Sequence, residues 1–402
     1  MTQDSGLKGR LEAGVVRQDH LNLRTIEGIE AIERLDADSS FHCLLIDAAL
    51  LGTEREKMLQ RLGEIGRKRN TLLVLLEETS RITTPRVSGL EVISRDARAS
   101  EIINAAKSAM TFELEIWGAR GTLPVSGRKT LRYGGSTSCV NLRIGKDRHF
   151  IFDAGTGLQR LSKHVMKKSG GQFHGRLFIT HPHWDHLNCI PFFEPLYIPG
   201  NRIDLMGPPH DSLSFRELLE GQMNGIYFPI KPDRFRAEVC FTDILEGTHQ
   251  YDGVVVKAFR LDHPGYCLGY RIEHAGKSFA YITDNEIPED KQDCPSWHAL
   301  VDFLKDVDVL VHDTSYFDEE YRAKVHWGHS AVSTVVKLAI ASSARHLFLF
   351  HHDPEHDDDD IDRKLHVANE AVSHQGGELI CHSAREGDRW NIQTGLLEGR
   401  IR

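Results

Sequence analysis

Thr180-His181-Pro182-His183-Trp184-Asp185-His186 follows the run Gly175–Thr180, which reads as a buried strand closing on a loop. Four potential metal ligands, His181, His183, Asp185 and His186, therefore fall within six residues just past the end of a rigid element. Neutral imidazoles and a carboxylate suit a borderline divalent ion such as Zn²⁺, and Mn²⁺ or Fe²⁺ less selectively. The bland alternative is a polar, His-rich surface loop. H-x-H-x-D-H directly after a strand is a more specific pattern than that, and the stretch is read as a metal site.

One loop cannot complete such a site, so further ligands are expected at other strand ends. Leu261-Asp262-His263-Pro264-Gly265 places a histidine after a strand and before a turn. Tyr281-Ile282-Thr283-Asp284 ends a strand on a carboxylate, and Leu347–His352 ends another on the pair His351-His352. Each alone is more often a hydrogen-bonded cap than a ligand. Together with the first loop they supply enough His and Asp for two metals.

Composition bounds the rest. The 402 residues suffice for two or more domains, and 40% hydrophobic with 27% charged content fits an ordinary globular protein. The polar stretch Met1–Arg10 lacks the apolar core of a signal peptide, and no apolar run approaches the roughly 20 residues that span a bilayer. Seven scattered cysteines, none in C-x-x-C spacing, argue against a disulfide framework, so a reducing cytoplasm is the expected location. The net charge of -9 makes the chain a poor candidate for tracking a long phosphate backbone. Only two of 23 histidines precede residue 111, which puts the chemistry in the second part.

Two domains are expected, 1–110 and 111–402. In the first, helical spacing at 28–35 and 54–67 alternates with apolar runs at 41–47, 70–76 and 90–93 before a closing helix at 99–110. This order resembles a response-regulator receiver domain, with Asp47 at the phospho-acceptor position. The acidic pair that binds Mg²⁺ is missing, and Arg95 stands where that family places a lysine. A degenerate receiver used for contacts is expected, through which a homodimer or a signalling partner could form. In the second domain, strands are predicted at 112–117, 139–144, 254–260, 270–274, 279–283, 307–312 and 346–350. Helices are predicted up to 168 and at 296–305, 330–342 and 361–374. The Pro/Gly-interrupted region 191–250 is expected to cover the site.

With these pieces assembled, residues 112–385 resemble the metallo-β-lactamase superfamily, and within it the ribonuclease Z-like phosphodiesterases. The matching motifs are Phe152-Asp153-Ala154-Gly155-Thr156-Gly157, the H-x-H-x-D-H loop, His263, Asp284, His329-Ser330 and His351. The resemblance implies an αββα sandwich and two divalent ions, Zn first, with Mn or Fe as alternatives. By it His181, His183 and His263 hold one ion, Asp185, His186 and His351 the other, and Asp284 bridges them. His351 is preferred to His352 because the family's ligand comes first after the strand, and Asp153 orders the loop from behind. In the phosphodiesterase branch a histidine followed by Ser or Thr protonates the leaving alkoxide, and an acidic residue orients it. Here these are His329 and Asp313, and a sugar hydroxyl, as a poor leaving group, requires such an acid. The expected catalytic residues are therefore Asp185, His329 and Asp313.

The resemblance departs in the covering region. Ribonuclease Z enzymes grasp tRNA with a basic arm, whereas residues 191–250 hold five Lys/Arg against nine Asp/Glu. That favours a small, partly apolar ligand, a cyclic nucleotide or cyclic phosphate, on which Tyr227 or Phe228 could stack. Extended nucleic acid is not expected. The rival readings are a ribonuclease Z-like endoribonuclease, a thioester or lactone hydrolase, and a non-catalytic metal-centre sensor. Arg120, Ser136 and Thr137 lie in Gly-rich turns and are read as structural before phosphate-binding.

Overall fold

Long apolar runs that end on Asp or His become central strands, and those ends place the site. The computed structural model describes residues 97–145, 148–288 and 294–401, stretches at 43–48, 72–77 and 90–94, and isolated positions between 51 and 62. In the front unit β1 (Cys43–Asp47), β2 (Leu72–Glu77) and β3 (Leu90–Ser94) form a parallel sheet, followed by helix α1 (Ala99–Ala109). Parallel pairing is what strand–helix alternation requires. The helix expected at 28–35 and most of that at 54–67 lie outside the described residues.

The rest of the chain builds two facing sheets. One has the order β18-β17-β4-β5-β6-β7-β8-β9, where β4 is Phe112–Gly118, β5 Cys139–Ile144, β6 Arg148–Phe152, β7 His174–Phe178, β8 Arg202–Gly207, β9 Glu238–Asp243, β17 Asp388–Asn391 and β18 Leu396–Arg400. The other runs β10 to β16 in sequence order: Gly247–Tyr251, Val254–Leu261, Cys267–His274, Lys277–Ile282, Val309–Asp313, His346–Phe350 and Ile380–Ser383. Between them lies a core rich in aromatics, and each outer face has its own apolar layer. Helix α2 (Gly157–Ser169) covers the first sheet; α5 (Pro295–Leu304), α7 (Val332–Ala341) and α8 (Asp358–Gln375) cover the second, and α3 (Trp184–Leu187) and α6 (Asp318–Tyr321) are single turns in the connections. This is the expected mixed α/β sandwich of two sheets between helical layers. Central strands buried on both faces explain why β14, Val309–Asp313, is apolar up to its last two residues.

Direction within the sheets decides where chemistry can occur. Strands β6 to β9 are mutually parallel, as are β13 to β16, and β11 points the same way as β13 because β12 runs antiparallel to both. The carboxyl ends of β6 and β7 in one sheet, and of β11, β13, β14 and β15 in the other, thus open on common edges. The ring of Phe152 at the end of β6 pins the sheets together there. It packs on Phe178, Tyr270, Phe279 and Tyr281 with centroids 5.5, 5.6, 5.8 and 5.6 Å away.

Region 191–250 is more regular than a covering loop. It contributes β8, β9, β10 and helix α4 (Phe215–Gln222), whose N-cap Ser214 forms a capping box with Glu217. Residues 224–235 are largely irregular, with Ile226 and Tyr227 exposed. Strands β16, β17 and β18 were not expected either. They are too short and polar to carry a periodic signal, and β17 is held by pairing with the distant β4.

Candidate metal centre and proton donor

Backbone geometry at the strand ends turns the key side chains inward. Asp153 and His351 directly follow β6 and β15, and Asp284 follows β13 after Thr283, with φ of 58°, 56° and 51°. Non-glycine residues rarely adopt this left-handed conformation, which costs about 1–2 kcal/mol each, so surrounding contacts must hold them there. For Asp153 those contacts are explicit. Its carboxylate accepts from Thr180 N (2.8 Å) and Oγ1 (3.0 Å), from Tyr281 OH (3.0 Å) and from His186 Nδ1 (2.7 Å).

Asp284 stands in the middle of the histidines. Its Oδ1 lies 3.0 Å from His351 Nε2 and 3.3 Å from His186 Nε2; its Oδ2 lies 3.6 Å from His181 Nε2 and 3.8 Å from His263 Nε2. Asp185 Oδ2 is 3.0 Å from His186 Nε2 and 3.4 Å from His351 Nε2, and His183 Nδ1 is 3.2 Å from His263 Nε2. His181, His183, His263 and Asp284 thus form one group, and Asp185, His186 and His351 a second; within each, donor atoms lie within 4.8 Å of one another. Each oxygen of Asp284 faces one group. All seven sequence-predicted ligand candidates converge here.

The donor set fits divalent ions. Four imidazoles have Nδ1 engaged by the protein: His186 by Asp153, His351 by Ser315 Oγ (3.1 Å), His263 by Gly328 O (3.0 Å) and His181 by Thr180 Oγ1 (3.0 Å). This fixes Nε2 as the atom presented to the cluster. The Nε2 atoms of His181, His186 and His351 are buried without a hydrogen-bond partner. Leaving three such groups unsatisfied costs roughly 1–3 kcal/mol apiece, which coordination would relieve. Burial, then the charge of neighbouring imidazoles, pushes His181 well down and keeps it in the neutral, ligating form. Burial opposes ionisation of Asp284, yet His351 and then His186 hold its carboxyl well below the usual carboxylate range.

Beside this cluster lies a buried acid–base pair. His329 Nδ1 is 2.7 Å from Asp313 Oδ2, and Asp313 Oδ1 accepts from Ser315 N (2.8 Å) and Oγ (2.7 Å). Asp313 and His329 are near enough to join Asp284 and His351 as a third group. Both Asp313 oxygens are already occupied, so its geometry is that of an orienting carboxylate. Burial alone would lower His329, but the charge of Asp313, their hydrogen bond, and Asp284 and Asp185 beyond raise it to about 9. The ring stacks on His351 with centroids 4.9 Å apart. His329 does not cap the following helix, because the N-cap of α7 is Ala331.

Other candidates fall away from the cluster. His352 turns to Ala384 O, 3.2 Å from its Nε2. Arg120 is buried, donating to Gly134 O (2.9 Å), His356 O (2.5 Å) and Asp353 O (3.4 Å), so it ties loops together. Thr137 pairs with Thr156, and Ser136 N donates to Glu386. Phe228 packs against Phe192 (5.2 Å) and the outer core, whereas Tyr227 is exposed. Sequence reasoning missed Ser315 and Gly121. A Cβ on Gly121 would come within 2.2 Å of the His351 ring, so the Gly118–Gly121 turn serves this approach.

Comparison with known proteins accords with this geometry. The beta-lactamase superfamily domain matches residues 148–352, just over half of the chain. Ribonuclease Z of Myxococcus xanthus is 26% identical over 256 residues, 52% of this chain and 79% of that protein. Ribonuclease Z of Staphylococcus carnosus is 23% identical over 299 residues, 62% and 92% of the two chains. Relatives with that name leave the expected exclusion of extended nucleic acid without support. Among solved structures, the metallo-beta-lactamase fold protein YhfI from Bacillus subtilis has a TM-score of 0.52 at 16% identity, covering 70% of this chain and 99% of that one, a likeness of fold. The superfamily match does not reach the front unit. With more than half its length matched, and with His and Asp gathered at the strand ends, the chain belongs to the metallo-β-lactamase superfamily, a group of metal-dependent hydrolases.

Proposed function

We propose that this protein is a phosphodiesterase with a two-ion centre, acting on a small phosphodiester such as a cyclic nucleotide or cyclic phosphate. The observation that carries the reading is the buried Asp313–His329 pair beside the histidine–carboxylate cluster. In this reading His181, His183 and His263 hold one ion, Asp185, His186 and His351 the other, and Asp284 reaches both. Zn is the expected metal, with Mn or Fe as alternatives. Bound ions of this kind activate water and neutralise charge in an in-line displacement at phosphorus.

The chain's own residues then account for the departing side. Asp313 holds His329 through Nδ1, which leaves Nε2 as the donating atom. As the bond from phosphorus to the sugar oxygen breaks, that oxygen takes the proton from His329 Nε2. An alkoxide leaving group makes this transfer necessary; the thiolate released from a thioester does not. Asp153, Thr180, Ser315 and Gly328 O keep the four imidazoles in one tautomer throughout. Residues 1–110 are read as a receiver-like contact domain and 111–402 as the hydrolase. No helix among the described residues is long and apolar enough to cross a membrane.

An RNA substrate is the second reading, favoured by the two ribonuclease Z relatives. The surplus of acidic residues over 191–250 favours the smaller substrate. The deciding experiment offers 3′,5′- and 2′,3′-cyclic nucleotides and a structured RNA to Zn- or Mn-loaded protein, beside His329→Ala and Asp284→Ala. Cleavage of a cyclic nucleotide that falls roughly 10²-fold without His329 supports the first reading. Cleavage of RNA alone replaces it with the second.

A further inference from the structure

Glu286, two residues after Asp284, is buried at 6% exposure. Its Oε1 accepts from His326 N (2.7 Å) and Tyr321 OH (2.8 Å), and its Oε2 from Gly328 N (2.8 Å). Among the described residues no Lys or Arg forms an ion pair with it, so the donors that stabilise this buried carboxylate come from one segment, 321–328. That segment needs a clamp. His326 and Gly328 both have left-handed backbones, at φ 71° and 83°, a conformation uncommon for a residue with a side chain.

The consequence runs in two directions. Gly328 O accepts from His263 Nδ1 at 3.0 Å, so that nitrogen carries the hydrogen and His263 Nε2 faces the cluster. A Cβ on Gly328 would lie 2.2 Å from His263 Nδ1, which shows how closely the loop is pressed on the ring. The next residue is His329, whose Nδ1 meets Asp313. The strand end bearing Glu286 is tied to its neighbours as well: Glu286 N donates to Asp262 O (2.8 Å), and Asn285 O accepts from Ser330 Oγ (2.6 Å).

We propose that Glu286 is a positioning residue that couples the two halves of the site: by clamping 321–328 it sets both His263 in the metal cluster and His329 beside Asp313. This rests on the metal-centre reading above. Glutamine at this position keeps the shape but offers one acceptor where three donors converge, and turns an NH₂ toward an N–H. Aspartate keeps the charge but withdraws it by about one bond length, ~1.5 Å.

The test uses the full chain as wild type, Glu286→Gln, Glu286→Asp and His263→Ala. Zn²⁺ affinity is measured by competition with a chromophoric chelator below the unfolding temperature, and kcat and KM on a cyclic nucleotide, whose alkoxide needs the His329 proton, beside bis(p-nitrophenyl) phosphate, whose leaving group does not. Weakening of the more labile Zn²⁺ by roughly 10–100-fold in Glu286→Gln, the scale seen when groups that orient ligands are lost, supports the proposal. A fall in kcat with little change in KM accompanies it. Glu286→Asp is expected between the two, and serves alone if the glutamine variant does not fold. If His263→Ala loses Zn²⁺ affinity while both Glu286 variants keep it, the clamp is overturned and the metal centre stands. If His263→Ala also binds Zn²⁺ as wild type does, the metal-centre reading fails and the proposal with it. A lowered unfolding temperature with unchanged affinity and kcat assigns Glu286 to stability alone and overturns it too.

Discussion

Replacing Asp313 by Asn should disable proton donation by His329 while leaving the fold standing. The Ser315 N and Oγ donors, at 2.8 and 2.7 Å from Oδ1, will select the amide oxygen and turn the NH₂ toward His329 Nδ1, which sits 2.7 Å from Oδ2 in the wild type. An NH₂ facing Nδ1 requires a lone pair there, so the ring becomes neutral with its hydrogen on Nε2. Giving up that hydrogen would create an imidazolate, which is not accessible near neutral pH. The lost interaction is a buried, charge-assisted hydrogen bond, worth about 1.5–3 kcal/mol to the imidazolium. That converts to about 10- to 10²-fold, and the general-acid step as a whole is worth roughly 10²–10⁴-fold. The sign in pH follows from the carboxylate. It raises His329, so the acid form is present below the folded pKa and lost above it, and Asp313→Asn moves the alkaline limb of kcat to lower pH. Ions held by His351, 4.9 Å from the His329 ring, act in the opposite sense on both proteins, so the comparison is between variant and wild type. The assay is kcat on a cyclic nucleotide against kcat on bis(p-nitrophenyl) phosphate, whose leaving group needs no proton. We expect a loss of 10² or more on the first and under tenfold on the second. Equal losses on both would refute the assignment of His329 as the acid.

Gly121→Ala should displace His351, since the new Cβ would sit 2.2 Å from its ring; metal analysis should show content falling toward one ion per chain in a folded protein. Arg120→Met strips three carbonyls of their donor, those of Asp353 and His356 in buried contacts, and should cost upwards of about 2 kcal/mol in chemical unfolding. His274 is lowered to about 4, first by burial and then by Arg148, while its unfolded value is near 6.5. The unfolded chain therefore binds the extra proton, and this contribution to stability, whole above pH 6.5, is lost as pH falls toward 4. Urea unfolding of wild type against His274→Gln should show the wild type losing about 2 kcal/mol more between pH 7 and pH 5. Tyr227→Ala, at a side chain 79% exposed, should leave stability within about 0.5 kcal/mol and raise KM on base-bearing substrates, as kinetics on cyclic nucleotides can check.

Some of this protein is written in local pattern. Burial on both faces forces a strand to be apolar, and the strand must stop where the chain can again reach polar groups. That is why 139–144 and 346–350 are legible to the residue, and why His or Asp at those stops marked His181, His263, Asp284 and His351. Composition likewise separated a histidine-poor front from a histidine-rich remainder. The tertiary structure decided what no local pattern holds. Whether His351 or His352 faces the cluster depends on the left-handed backbone at His351 and on Ala384 O taking up the other ring. Which nitrogen each imidazole presents depends on Asp153, Ser315 and Gly328, the last two far along the chain from the rings they fix. Glu286 and Gly121 matter only because residues 35 to 42 and 230 positions away are brought against them. Hydrophobic periodicity records how deeply a residue is buried. It does not record which strand ends meet across the two sheets, and here that meeting gathers the donor atoms into one cluster.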